Sequence, residues 1–382
     1  MRGVCLCLSC APTAHPEHPQ DQTGGEEKMT NRPTENQVAV SVPPHVRGRR
    51  SSRGIMLDVA IALLPSAVMA CVYFQLYALM LLLVCVAGAV ATEFIYYFIA
   101  KGGFAHKCSR AGEVVRNWAR QFDCTSVVTG LILALILPAY TKWYEALLGS
   151  VFAIALVKML FGGTGKNLVN PAAAGRVFLF ISFSLSAGAL LTDGTLTTGA
   201  TYLSGTLLSG GSLSSGATYG DTIELSLLQL FLGNGVATAA IGETCKAAIL
   251  AGYLYLVIRK VIKWWQPLLC IALSGFVSVC LAATSGTFDI TLFPDYCLSG
   301  GLVFGAVFMA TDYVTSPKGT YGQLVYYVAL ALLTAILRHF THIEIMSFTI
   351  LLMNLLTPLI DTYIVRKPFG YQREKKAKEA VK

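Results

Sequence analysis

A threonine with small neighbours is the first residue of this sequence whose surroundings suit covalent chemistry. Thr218 lies in the stretch GGSLSSGATYGD, Gly210 to Asp221, which contains neither lysine nor arginine. Gly216 and Ala217 precede the threonine and leave the approach to its hydroxyl unobstructed. From these residues alone two interpretations stay open, an acceptor for a modifying enzyme and an inert turn.

Ionisable residues within apolar runs are candidates for ion transport, because a charge in the hydrocarbon layer is costly. Glu93 lies within such a run. Asp312 ends the stretch FMATD at a predicted helix break, where freed carbonyl oxygens beside a carboxylate would bind Na⁺ or relay a proton. Glu243 and Lys246 lie on one helical face, so mutual neutralisation competes with an ion-path role for Glu243. Lys158 is a further ionisable residue within an apolar run. Asp58 and Asp361 lie near segment ends, where solvation at the membrane interface is expected.

The segment FGGTGKNLVNPAAAGRVF, residues 161–178, combines glycines, a proline at a predicted helix start and the cations Lys166 and Arg176. Main-chain N–H groups at a helix N-terminus attract anions. The segment is not a nucleotide-binding P-loop, because the residue after Lys166 is asparagine rather than serine or threonine. It predicts a tight turn with either a structural role or a cofactor contact for Asn167, Asn170 and Arg176.

The composition is that of a membrane protein. Of the 382 residues 54% are hydrophobic and 13% are charged, and the mean hydropathy is +0.60. Several apolar runs approach or exceed the roughly 18 residues that a helix needs to cross the hydrocarbon layer. Within that layer a single segment satisfies its own backbone hydrogen bonds only as a helix. The basic residues behind the net charge of +8 flank these runs, so they indicate topology rather than nucleic-acid binding. The cysteines of the apolar part lack metal-ligand spacing, and no metal site is predicted there. The leader stretch CLCLSC, Cys5 to Cys10, leaves a metal knuckle open as an alternative.

The fold class predicted from these runs is an all-α polytopic membrane protein with about ten transmembrane helices. The predicted segments are Ile55–Phe74, Leu76–Ile99, Thr125–Pro138, Ala146–Gly163, Ala173–Leu190, Ala239–Ile258, Pro267–Ser285, Cys297–Thr311, Gln323–Leu337 and Ile343–Val365. The third segment of each set of five is short and runs into a stretch marked by proline and glycine. This pattern suits two inverted five-helix repeats with broken helices.

The distribution of basic residues predicts the topology. Nearly all of them fall in stretches that share one side with both termini, and the opposite stretches hold only Lys142 and Arg338. Both termini are therefore predicted to be cytoplasmic. The long loop 191–238, which contains no lysine or arginine, is predicted to face outward. The predicted divisions are an N-terminal segment 1–54, a first half 55–190, an outward loop 191–238, a second half 239–365 and a basic tail 366–382. Residues 1–28 are expected to be an upstream extension, since Met29 opens a complete cytoplasmic start.

Several motifs in sequence order carry a resemblance to a known family. They are FGGTGKNLVNPAAAGRVFLFISF, SGAT, IGETCKAAILAGYLYLV, VFMATDYVTSPKGTYGQL and ILLMNLLTPLIDTY, spread from about Val46 to Tyr371. The sequence resembles the family that contains the D component of the Rnf-type ion-translocating ferredoxin:NAD⁺ oxidoreductase (electron transport) complex and the B component of the sodium-translocating NADH:quinone reductase. Its short leader and its start PHVRGRRSSRGIMLDVAIALLP are more similar to the D component.

The resemblance implies a covalent flavin and a place in an electron transport complex. In this family a Ser/Thr-Gly-Ala-Thr motif accepts FMN through a phosphoester bond to its last threonine, which here is Thr218 with Ser215, Gly216 and Ala217 as the recognition frame. The family usually has an acidic residue where Ser212 stands. The implied function is an FMN relay of electrons between ferredoxin and NAD, coupled to translocation of Na⁺ or H⁺.

The resemblance also implies partners and a location. The partners are the A, B, C, E and G components of the Rnf complex, above all the flavinylated G component, together with the flavin transferase and membrane lipid. The implied location is the cell inner membrane, with the flavin loop on the periplasmic side. Whether a second, noncovalent flavin such as riboflavin binds near Asn167, Asn170 and Arg176 stays open. Three alternatives also stay open: a urea-channel-like solute transporter without a redox role, a scaffold without flavin, and the B component of a sodium-translocating NADH:quinone reductase.

Overall fold

The computed structural model describes most of the apolar part of the chain. The described residues are 51–100, 108–138, 141–183, 190–192, 195–197, 227–233, 240–284, 290, 293–341 and 345–364. They belong to one compact unit, Arg49–Lys382, and the other unit, Met1–Gly48, lies outside them. The tail 366–382 and most of the predicted outward loop 191–238 also lie outside the described residues.

The described elements are almost entirely helical. The α-helices are α1 (Ser52–Ala100), α2 (Cys108–Gln121), α3 (Thr125–Ile136), α4 (Trp143–Phe152), α5 (Pro171–Phe183), α6 (Leu227–Leu232), α7 (Lys246–Ile258), α8 (Trp265–Thr284), α9 (Phe293–Leu298), α10 (Leu302–Phe304), α11 (Thr320–Thr341) and α12 (Met346–Tyr363). Two π-helices, π1 (Ala153–Met159) and π2 (Gly305–Met309), continue α4 and α10. A short antiparallel pair, β1 (Leu190–Thr192) and β2 (Thr195–Thr197), follows α5.

Helix α1 is a folded-back pair of membrane segments. A straight helix of its 49 residues would be about 74 Å long, more than twice the hydrocarbon thickness of about 30 Å. Its backbone is non-helical at Gln75, with φ 51° and ψ −135°. Arg53 near its start pairs with Asp123, and Glu93 near its end accepts a hydrogen bond from Ser126, so both ends lie beside the start of α3. The break predicted between Phe74 and Leu76 is therefore where the chain reverses.

Four helices among the described residues are long and apolar enough to cross a membrane. They are Ser52–Ala100, Trp265–Ala283, Thr320–Thr341 and Met346–Tyr363, and the bent pair Val114–Arg120 and Thr125–Ile136, with an angle of 71°, would make a fifth. The predicted class, an all-helical polytopic membrane protein, is confirmed. A search for apolar runs does not predict the amphipathic α2, because its mean hydropathy is low. The count of ten helices and the inverted repeat stay predictions.

The C-terminal end of α3 is hydrogen-bonded to the residues that precede α7. The main-chain N–H groups of Ile241 and Gly242 donate to the oxygens of Leu137 and Leu135 at 3.1 and 2.8 Å, and Pro138 and Ala240 form an antiparallel bridge. These contacts occupy backbone groups that lipid could not satisfy. The segment predicted to begin at Ala239 is consequently helical only from Lys246, since residues 240–242 bridge to the end of α3 instead.

The predicted segment Cys297–Thr311 is interrupted as well. Helix α9 ends at Leu298, Gly300 adopts a positive φ of 59°, and the chain resumes as α10 and π2. Both π-helices end in turns, with the N–H of Leu160 donating to Ala155 and that of Ala310 to Gly305. Such π-bulges are frequent at functional sites. A functional site is therefore expected near the turns 160–170 and 310–319.

We predict that Gly252→Ala destabilises the protein, because the added methyl group would overlap the main-chain oxygen of Ala62 and lie 3.0 Å from Phe308 Cζ. The expected loss is about 1–3 kcal/mol, seen as a lower unfolding temperature in detergent. Gly112→Ala is the matched control, because its methyl group meets nothing within 4 Å. Equal unfolding temperatures for the two variants would show that α1 and α7 do not pack this closely.

Candidate functional site

A cavity of about 90 Å³ lies between the two π-helices and the turns that follow them. Its walls are mostly apolar, from residues such as Val128, Ile132, Val307 and Phe308. Its polar lining residues are Thr125, Thr129, Lys158, Thr164, Asn167, Asn170, Thr311, Asp312 and Tyr313. They come from both halves of the chain, so the cavity depends on the packing of the two halves.

The cavity lies at one end of the bundle, which we call the basic end, defined by Arg53, Lys166, Lys263 and Lys318. Arg53 pairs with Asp123, just before α3, at 3.4 Å. The turn that carries Lys166 contacts α3 through the hydroxyls of Thr164 and Thr125, 3.3 Å apart. Lys263 donates to Gln323, whose amide donates to Pro317 beside Lys318.

Lys158 is the buried cation of the site. Its side chain is 2% exposed and its ammonium donates to three oxygens: Glu93 Oε2 at 3.2 Å, Thr125 Oγ1 at 2.6 Å and Ser126 Oγ at 2.8 Å. The Ser126 hydroxyl donates in turn to Glu93. Thr125 and Ser126 begin α3, and Glu93 belongs to the second part of α1. Three separate segments thus meet at one ammonium group, with Glu93 behind the residues that line the cavity.

The glycine-rich turn positions the two predicted asparagines differently. Gly162, Gly163 and Gly165 have φ of 104°, 89° and 87°, a conformation that favours glycine. The turn brings Asn167 to the cavity, where its Oδ1 is buried with no hydrogen-bond partner among the described residues. Asn170 caps α5, its Oδ1 accepting from the N–H groups of residues 172 and 173, while its Nδ2 donates to the oxygen of residue 309 at 3.2 Å. Asn170 therefore ties the turn to π2.

Asp312 also lines the cavity. Its Oδ1 accepts from the N–H of Val314 at 3.4 Å and its Oδ2 from the hydroxyl of Thr315 at 3.1 Å. These bonds fix the carboxylate at the start of the turn. Of the predicted ion-path residues, Asp312 borders the cavity directly and Glu93 through its partner Lys158.

Glu243, the third predicted ion-path residue, lies in a separate cluster. Its buried carboxylate pairs with Arg176 of α5 at 3.3 Å. Lys246 donates to the main-chain oxygens of Glu243 and Gly300, at 2.5 and 2.8 Å. The predicted neutralisation of Glu243 by Lys246 did not include the ion pair with Arg176. Arg176 belongs to this cluster and is not among the residues that line the cavity.

Two further carboxylates have partners that the sequence did not reveal. Asp58, expected to be solvated at an interface, accepts from Arg259 at 3.0 Å and from the hydroxyl of Tyr255. The hydrogen bonds from Arg259 to Asp58, together with the charge of that carboxylate, raise the pKa of Arg259 above its ordinary value. Glu145, just before a predicted segment, is buried in the first turn of α4, where its Oε2 accepts from the N–H of Lys142. Its position one residue before an apolar run was the available signal.

Metal ligands do not cluster in the described ranges: no group of three or more His, Cys, Asp or Glu side chains there could hold a metal ion.

The predicted flavin acceptor lies outside the described residues. This applies to Thr218, to Ser215, Gly216 and Ala217, and to Ser212. The same loop holds a second copy of the motif, Thr198-Gly199-Ala200-Thr201, which was not among the predicted acceptors. Both copies are followed by tyrosine. A search of the loop for repeats would have found Thr201, which lies outside the described residues too.

Comparison with known proteins finds one family along nearly the whole chain. The sequence pattern of the NQR2, RnfD, RnfE family matches residues 39–370. The D component of the Na⁺-translocating ferredoxin:NAD⁺ oxidoreductase complex of Acetobacterium woodii is 38% identical, over 90% of this chain and 98% of its own. The D component of the proton-translocating ferredoxin:NAD⁺ oxidoreductase complex of Clostridium ljungdahlii is 35% identical, over 88% and 98%. The D component of the ion-translocating oxidoreductase complex of Stutzerimonas stutzeri is 33% identical, over 87% and 96%.

We predict that Lys158→Met destabilises the protein by about 3–5 kcal/mol, because it leaves the Glu93 carboxylate without its cation. The double variant Lys158→Met/Glu93→Gln should recover most of this loss, since it removes the carboxylate charge as well. Thermal unfolding of the four proteins of this cycle in detergent and low salt measures the coupling. Additive effects of the two substitutions would contradict a buried ion pair.

Proposed function

Because the chain belongs to the NQR2, RnfD, RnfE family, we propose that it is the membrane-embedded D component of an ion-translocating ferredoxin:NAD⁺ oxidoreductase complex. The observation that carries the proposal is the match to D-component relatives over 96–98% of their length. In this role the chain carries FMN that relays electrons between ferredoxin and NAD, and couples this transfer to movement of Na⁺ or H⁺.

The proposal includes a topology. The chain crosses the inner membrane about ten times as two inverted halves with broken helices, and both termini face the cytoplasm. The clustering of Arg53, Lys166, Lys263 and Lys318 at the basic end supports this orientation, since cytoplasmic segments are rich in lysine and arginine. The cavity then lies on the cytoplasmic side, and the loop with the flavin motifs lies on the outer side.

The FMN phosphate is attached to Thr218 by a flavin transferase. When bound, FMN supplies one-electron redox chemistry that amino-acid side chains do not offer. In its outward position the loop meets the flavinylated G component, and the A, B, C and E components complete the route from the cytoplasmic side. The supports for Thr218 are the motif and the charge pattern that faces its loop outward.

A noncovalent flavin such as riboflavin would bind beside the glycine-rich turn, because the cavity of about 90 Å³ is smaller than the roughly 300–1,000 Å³ of typical ligand pockets and does not enclose its ring system. Asn167 belongs to this turn, next to Asn170, whose side chain caps α5. Arg176 faces Glu243 instead, so in this proposal it stabilises the fold.

Ion movement is assigned to the polar residues that border the cavity. An electron gained nearby in a region of low dielectric attracts a cation, so charge transfer and cation entry favour one another. Asp312 and Glu93 provide the carboxylates for this path. A solute channel of urea-channel type, without flavin, is the competing function, because a helical bundle with broken helices suits that role as well.

Flavin attachment is tested by denaturing electrophoresis after coexpression with the flavin transferase. We expect in-gel flavin fluorescence that disappears in Thr218→Ala, because the phosphoester bond survives denaturation. Thr201→Ala in the repeated motif is the matched control and should keep the fluorescence. Loss in Thr201→Ala alone would move the acceptor to Thr201, and a dark wild-type band would favour the channel. Flavin released into the denatured supernatant would report the noncovalent site.

Ion coupling is tested by Asp312→Asn in the complex reconstituted in vesicles. We expect cation transport to fall about tenfold, an effect of about 1.4 kcal/mol on a barrier, because the amide lacks the negative charge at the cavity. Asp361→Asn is the control, since Asp361 accepts from the N–H of Lys318 and does not line the cavity. Wild-type transport by Asp312→Asn would remove Asp312 from the path.

A further inference from the structure

The oxygens around the Lys158 ammonium have the arrangement of a cation-binding site. One carboxylate oxygen, from Glu93, and two hydroxyl oxygens, from Thr125 and Ser126, converge on Nζ at 2.6 to 3.2 Å. The Ser126 hydroxyl also contacts Glu93, so the three groups keep one another in place. We propose that these three residues form a Na⁺ site, which the tethered Lys158 ammonium occupies in this conformation and which Na⁺ occupies when the ammonium moves away.

The chemistry of the ligands favours Na⁺ over a proton. Hydroxyl and carboxylate oxygens are hard ligands that suit alkali and alkaline-earth cations. Protonation would need the Glu93 carboxylate alone, whereas several converging oxygens are what a metal cation needs. A single carboxylate with two neutral oxygens also balances one positive charge, which matches a monovalent cation.

Lys158 has a second place for its ammonium. Its side chain lines the cavity, whose volume of about 90 Å³ exceeds the roughly 10–15 Å³ that one water molecule requires. The lining also includes the carboxylate of Asp312 and the buried Oδ1 of Asn167, an acceptor with no partner among the described residues. Rotation about the side-chain bonds of Lys158 would therefore carry the charge from Glu93 toward Asp312, without unfolding of π1.

Exchange keeps the site electrically neutral at each end of the step. When Na⁺ arrives as the ammonium leaves, Glu93 keeps one positive partner throughout. A bare carboxylate in this position would be costly, because buried charges without partners strongly destabilise proteins. Thr125 also lines the cavity, so a cation can pass from the cavity to the site without crossing a further layer of side chains.

This inference rests on the proposed function for its meaning in transport, but Na⁺ binding itself requires neither flavin nor electron transfer. The test is the unfolding temperature of the purified full chain at constant ionic strength in Na⁺, K⁺ or choline chloride. The variants are Lys158→Met, Lys158→Arg and Lys158→Met/Glu93→Gln. Lys158→Met vacates the site, Lys158→Arg keeps a tethered cation, and the double variant removes the carboxylate charge.

We expect Na⁺ to raise the unfolding temperature of Lys158→Met by several degrees in a saturable way, because a ligand that binds only the folded state stabilises it. The wild type, Lys158→Arg and the double variant should respond equally to Na⁺ and choline. An equal response of Lys158→Met to Na⁺ and choline would overturn the site, and an equal response to Na⁺ and K⁺ would overturn its assignment to Na⁺.

Ser126→Ala covers the case in which Lys158→Met does not fold, because it retains the Lys158–Glu93 pair. In the reconstituted complex it should raise the Na⁺ concentration for half-maximal transport about tenfold, and an unchanged value would contradict the proposal. A wild-type complex without ferredoxin:NAD⁺ activity would contradict the proposed function alone, and the salt dependence of Lys158→Met would still decide the Na⁺ site.

Discussion

Interrupted helices in a membrane need partners for the main-chain groups that they free, since lipid offers none. Much of the described structure follows from this requirement. The end of α3 and residues 240–242 hydrogen-bond to each other, and the side chain of Asn170 caps α5 while it donates to the oxygen of Met309. The contact between α3 and residues 240–242 and the hydrogen bond from Asn170 to Met309 each join the first half of the chain to the second. The bond from Asn170 to Met309 also joins the turn after π1 to the end of π2, where the cavity lies.

The buried charges obey a parallel constraint. Lys158 pairs with Glu93, Arg176 with Glu243 and Arg259 with Asp58. Every pair joins residues far apart in the sequence, so the charges help fix which segments lie together. Replacing such pairs by apolar residues is often neutral for stability. Of these three pairs, the Lys158–Glu93 pair borders the cavity, and it is the pair that the proposed ion path uses.

The sequence predicts single elements and single residues better than their pairings. The break at Gln75 was predictable because one polar residue separates two apolar runs, and the family predicted from the motifs is confirmed. Glu93 and Lys158 each stand out as charges in apolar runs, but nothing local links positions so far apart. The helix predicted from Ala239 begins at Lys246, since hydrogen bonding to α3 overrides local hydrophobicity.

A tethered ammonium changes what an ion site demands of the protein. A site that empties between transport steps must tolerate a bare carboxylate, and the resulting barrier would slow each return. In the proposed exchange Lys158 is the resident cation, so Glu93 would stay neutralised whether Na⁺ is present or absent. The remaining energetic difference would lie in where the ammonium goes, and the carboxylate of Asp312, which also lines the cavity, would stabilise it there. An electron arriving near the cavity would shift the ammonium position by electrostatics, which gives electron transfer a direct means of opening the site.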